Sequence, residues 1–115
     1  MIKLNEDDFE YVGRSYNNHS MNGFIFRVKN KSADILSDKY DIQRKRIYVN
    51  YMYENYSQFI EVSGYSDPLQ SDAIYTKILL EDESIIKEIL QKALNKKMKE
   101  NVNKWSNFGK KISNI

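Results

Sequence analysis

The chain has 115 residues, 41% of them hydrophobic and 13% aromatic, with a formal net charge of +2. That is enough apolar material for one packed domain and too much for a disordered segment. There is no cysteine, which excludes disulfides and thiolate metal sites. The single histidine, His19, lies in the polar run Asn17-Asn18-His19-Ser20, so an imidazole metal centre lacks ligands. No apolar run approaches the roughly 18–20 residues of a membrane span, and the acidic N-terminus lacks the apolar stretch of a secretory signal.

In chain order, Asn5–Val12 suits a short helix with Asn5 as its cap and Gly13 as its stop, or an extended segment over Phe9–Val12. Arg14–Asn22 is polar and turn-rich, which predicts a loop. In Gly23–Lys29, Phe24, Phe26 and Val28 alternate with Ile25, Arg27 and Lys29, the period of a strand. Ala33–Asp41 fits a short helix capped by Ser32 or a strand after a turn. Arg44–Tyr53 and Ser57–Ser63 read as a hairpin turning at Glu54-Asn55-Tyr56. Its first arm sets Ile47, Val49, Tyr51 and Tyr53 against Arg46, Tyr48, Asn50 and Met52; its second sets Ile60 and Val62 against Phe59 and Glu61. Large residues on both faces of the first arm make it a central strand, or make one face a binding surface. Gly64–Gln70, with the only proline, reads as a loop, and Ala73–Leu80 as a last strand with Ile74, Ile78 and Leu80 inward.

Leu80–Lys104 reads as one long amphipathic helix. Glu81-Asp82-Glu83 sit where its positive end would lie, with Asp82 as a cap or Leu80 stapled on Ile85. Ile85, Ile86, Ile89, Leu90, Ala93 and Leu94 share half of the wheel. After Asn95 the pattern rotates: Lys97 enters the former apolar side, while Met98, Val102 and Trp105 fall on the former polar side. Either the helix bends or ends near Asn95–Lys97, or its last turns meet something else. Trp105 and Phe108 would then return to the core or face another chain. The positive charge gathers here, residues 84–115 holding eight lysines against Glu88 and Glu100.

These elements predict a single α+β domain over 1–115, with 106–115 a loose tail. An antiparallel sheet of about four strands carries the long C-terminal helix across it, with a short N-terminal helix as an option. With no usable histidine, no phosphate-cradling glycine pattern, and acids better suited to helix starts than to a cation, the chain reads as a non-enzyme without metal or cofactor.

Nine tyrosines suggest contact surfaces, since tyrosine is enriched in interfaces. One candidate comprises Arg44, Arg46, Tyr48, Tyr51, Tyr53 and Tyr56; the other is the helix end from Lys97 to Trp105. The composition, rich in Asn, Lys, Ile and Tyr, is similar to that of small proteins carried by phages and other mobile elements of low-GC bacteria. That resemblance covers no motif and carries over no residue. It implies a cytoplasmic inhibitor of the anti-CRISPR or immunity type, acting in an infected bacterial host by occupying a larger protein. The alternative is a single-stranded RNA or DNA binder that stacks bases on the same tyrosines. A homodimer through the C-terminal helix is a further arrangement.

Overall fold

The structure, a computed structural model, describes residues 2–16, 21–54, 57–66 and 73–113, with side chains except at 15, 16, 21, 54 and 101–113. Glu6–Asp8 forms a single 3-10 turn capped as expected by Asn5, whose Oδ1 accepts from the Asp7 N–H at 3.0 Å. The chain then turns extended into β1 (Phe9–Tyr16), because Phe9 and Tyr11 enter the sheet opposite Val28 and Phe26. Gly13 therefore stops no helix. It lies at a bulge with φ +154°, where the pairing register shifts between Tyr11 and Gly13. Strand β2 (Met21–Val28) starts earlier than its alternation suggested, so both ends of the segment read as a loop at Arg14–Asn22 are strand: Arg14–Tyr16 in β1, and Met21 and Asn22 in β2.

Ala33–Asp41 resolves as helix α1 (Asn30–Lys39). Ser32 lies inside it and is buried. Its hydroxyl accepts the Asn5 N–H at 2.9 Å, and the capping acceptor comes from another element. The Asp8 carboxylate accepts from Asn30 Nδ2 at 3.0 Å and from the Ser32 N–H at 3.3 Å. The hydrogen bond from Asn30, opposed by burial and aided by Ser32, holds Asp8 below its ordinary pKa. At the other end the Ile42 N–H donates to the Ser37 carbonyl at 2.9 Å, with Asp41 left-handed at φ +53°. This is a Schellman closure with aspartate in the place usually taken by glycine.

Strands β3 (Arg46–Glu54), β4 (Ser57–Tyr65) and β5 (Ile74–Lys77) complete the sheet. Among the described residues it has five strands in the order β1-β2-β3-β4-β5, each antiparallel to the next. The fold is thus α+β with one strand more than the sequence suggested. Gly64, read as a loop, is paired in β4 opposite Ile47. A Cβ there would lie 2.4 Å from Ile42 Cγ2 and 2.9 Å from Arg44 Cβ, so only glycine lets the α1–β3 connection cross the strand so closely.

Helix α2 spans Leu80–Ser113 without a break at Asn95–Lys97. Both helices cover one face of the sheet. Leu36 of α1 and Tyr40 just beyond its end, together with Ile86, Ile89, Leu90 and Ala93 of α2, pack on Phe26, Val28, Ile47, Val49, Ile60 and Val62. Each fully buried aliphatic side chain there contributes about 1.5–3 kcal/mol.

Two expectations at the start of α2 are corrected. Leu80 is 87% exposed; it opens the helix and neither completes β5 inward nor staples Ile85. Asp82 is the third helical residue and is buried. Its carboxylate meets Lys39 Nζ at 2.8 Å and the Tyr40 hydroxyl at 2.5 Å, while that hydroxyl accepts the Leu79 N–H at 3.1 Å. The end of α1 is thereby fastened to the start of α2.

Candidate functional site: the helix-free face of the sheet

A strand shows its side chains alternately to its two faces, so the pairing register fixes what the uncovered face presents. One row runs Gly13, Ile25, Asn50, Glu61, Lys77 across all five strands. The next runs Glu10, Arg27, Tyr48, Ser63, Tyr75, and beyond them Gly23 pairs with Met52 and Met52 with Phe59. Among the described residues no helix lies over these rows. Met52 is only 5% exposed yet stands outside the main core. Its sulfur fills the space that a Cβ on Gly23 would need, 2.3 Å away.

The aromatic groups interlock diagonally. Tyr48 and Tyr65 meet edge-to-face with centroids 5.5 Å apart, and Tyr65 and Tyr75 do so at 6.1 Å. The last two hydroxyls lie 3.0 Å apart, and Lys77 Nζ sits 4.9 Å from the centre of the Phe59 ring. Beneath this layer Asn50 Nδ2 donates to Ser63 Oγ at 2.9 Å, and Glu61 takes a hydrogen bond from Asn50. Burial pushes the Glu61 carboxyl above its ordinary pKa, against the hydrogen bond from Asn50 and the charge of Lys77. Burial likewise pushes the Tyr65 phenol up to about 12, with the Tyr75 hydrogen bond in support. The outer rim stays open, Tyr75 being 54% exposed. The face is a sheet of aromatic and apolar groups over a polar seam, with Arg27 and Arg46 exposed beside it.

The residues singled out from the sequence divide between the two faces. Tyr48 and Arg46 belong to this helix-free surface. Tyr51 and Tyr53 lie on the helix-bearing face, half-buried, with their rings 5.2 Å apart. There they join Phe24 and Phe26 as one wall of a groove of about 180 Å³, closed on the other side by Lys87, Leu90, Gln91 and Leu94. Arg44 precedes β3 and donates from Nη1 to the Gln43 carbonyl at 2.8 Å. Lys97, on α2, flanks Glu10 and Lys29 at the β1 edge. Tyr56 and the side chain of Trp105 lie outside the described residues, as do His19 and the side chains of the tail read at 106–115.

Phe59, Glu61, Tyr65, Tyr75 and Lys77 were not picked out from the sequence. The alternation in Ser57–Ser63 already set Phe59 and Glu61 against Ile60, but Tyr65 fell in a segment read as loop. Among the described residues no three His, Cys, Asp or Glu side chains gather to hold a metal ion, and no helix is long and apolar enough to cross a membrane. No family model, curated protein or solved structure matches this chain.

Proposed function

We propose that this protein is a non-enzymatic protein-binding module that occupies a larger protein, as an inhibitor or adaptor does, through the helix-free face of its sheet. The observation that carries this reading is the interlocked layer of Tyr48, Phe59, Tyr65 and Tyr75 on a face covered by no described helix. Rigid aromatic groups with polar tips are the usual energetic anchors of interfaces. The polar seam beneath supports it: Glu61 is held where its charge is disfavoured, a cost that local stability does not require. An origin in a phage or other mobile element, with action in the bacterial cytoplasm, belongs to the same proposal and rests on composition alone.

Single-stranded nucleic acid is the second reading, favoured by Arg27 and Arg46 beside Tyr48 on this face. A pull-down from the native host's lysate with and without nuclease separates the two. The protein reading expects a nuclease-resistant partner whose binding weakens at least about tenfold on Tyr48→Ala and on Tyr75→Ala, while Tyr51→Ser and Tyr53→Ser leave it unchanged. Material that disappears with nuclease, or affinity that falls steeply with salt, favours the second reading. A partner indifferent to Tyr48 and Tyr75 overturns the face.

A further inference from the structure

The charged side chains of the helix-free face are unevenly partnered. Glu10 stands opposite Arg27 in the strand register, yet its carboxylate takes Lys29 Nζ at 2.8 Å. Glu61 lies between Asn50 and Lys77 and accepts from the Asn50 amide, while Lys77 Nζ stands over the Phe59 ring. Arg27 and Arg46 are exposed, and among the described residues neither has a carboxylate within ion-pair distance.

The register fixes how the two arginines are disposed. Tyr48 is directly opposite Arg27 and two residues along β3 from Arg46, and Tyr65 is directly opposite Arg46. A diagonal pair of this kind lies roughly 7–8 Å apart on one face of a sheet. Arg27 and Arg46 therefore border Tyr48 on two sides, and Tyr48 is itself set against the Tyr65 ring, centroids 5.5 Å apart. Each guanidinium offers a planar fork of donors that matches a carboxylate. The phenol rings between them offer apolar area with polar tips.

The acidic groups limit what can lie here. Glu10 closes the row of Arg27 at its β1 end, and Glu61 occupies the next row. Bounded in this way by carboxylates, the basic spot suits one or two anionic side chains. The phosphates of a nucleic-acid strand call instead for a basic groove that follows the backbone.

We infer that the partner presents an acidic segment to this face: aspartate or glutamate carboxylates meet Arg27 and Arg46, and a neighbouring aromatic or apolar side chain rests on Tyr48 and Tyr65. The inference rests on the reading of this face as a protein-binding surface and adds the chemistry of the partner to it.

The test is fluorescence anisotropy of the full chain with three labelled probes: a short peptide alternating glutamate and tyrosine, the same peptide with lysine in place of glutamate, and an oligothymidine of equal charge. The glutamate peptide is expected to bind, and Arg27→Gln with Arg46→Gln should weaken it by about tenfold or more. Glutamine removes the charge without setting a second carboxylate beside Glu10, and the circular dichroism of the variant should match that of the native chain. Lys96→Gln with Lys99→Gln, on α2 and outside this face, should leave binding unchanged. No binding of the glutamate peptide, equal binding of the lysine peptide, or an equal effect of the arginine and lysine substitutions overturns the inference. So does an oligothymidine bound more tightly than the glutamate peptide, which would put single-stranded nucleic acid on the face instead. A lysate partner that needs Tyr48 and Tyr75 but not the two arginines overturns the acidic segment alone, whereas one indifferent to the tyrosines overturns the face itself.

Discussion

At the scale of a single residue, two carboxylates that burial pushes the same way end with opposite pKa shifts, because hydrogen bonds outweigh burial at one and not at the other. Burial alone would raise the pKa of Asp82, but the hydrogen bonds from Lys39 and Tyr40 outweigh it, and the folded-state pKa lies below the ordinary 3.8. As pH falls the unfolded chain therefore takes up the proton first. The stabilisation from Asp82 is complete above its unfolded value and is lost as pH drops through the lowered one. Asp82→Asn should cost about 1.5–3 kcal/mol at neutral pH, the range for hydrogen bonds to a charged group. Denaturant melts of the variant should also show less loss of stability below pH 3.8 than those of the native chain.

Glu61 has the reverse sign. Its folded-state pKa lies above 4.5, so the folded chain protonates first and the ionised group weakens the fold once pH exceeds 4.5. Glu61→Gln should raise the melting temperature at pH 7 by a few degrees, with the two curves converging towards pH 4. If the helix-free face is the contact surface, the same substitution should reduce partner binding, separating what the residue does for function from what it costs in stability.

At the scale of elements, the connection between α1 and β3 is held by backbone geometry as well as by the fully buried Ile42. Asp41 adopts the left-handed conformation that glycine occupies without penalty. Asp41→Gly should therefore stabilise the protein by about 0.5–1 kcal/mol in denaturant titrations. Gly64 is the converse case. Gly64→Ala places a methyl against Ile42 and the Arg44 stem, and should destabilise by about 1–3 kcal/mol, the range for overpacking. The helix-packing stripe of α2 is the main apolar contribution from that element. Ile86 is fully buried, so Ile86→Ala should cost about 2–5 kcal/mol.

At the scale of the whole molecule, the sheet has one face closed by two helices and one face carrying an aromatic layer, while α2 extends past the edge strand.

Local pattern in the sequence determined the antiparallel α+β class, the hairpin of β3 and β4 with its two faces, the long helix and its first stripe, and Asn5 as a cap. In each case the side-chain period matches the backbone period, and that match needs only near neighbours. What the tertiary structure decided depends on partners distant in the chain. Phe9 and Tyr11 became strand because Val28 and Phe26 were there to pair with. Asp8 caps a helix that begins more than twenty residues later, and Asp82 is a buried tie to α1 where its surroundings in the sequence suggested a cap. Gly13 and Gly64 serve a bulge and a close crossing, where each position alone reads as a stop or a loop. Tyr48 and Tyr51, three residues apart, lie on opposite sides of one sheet, and only the registry of all five strands brings Tyr48 together with Tyr65 and Tyr75.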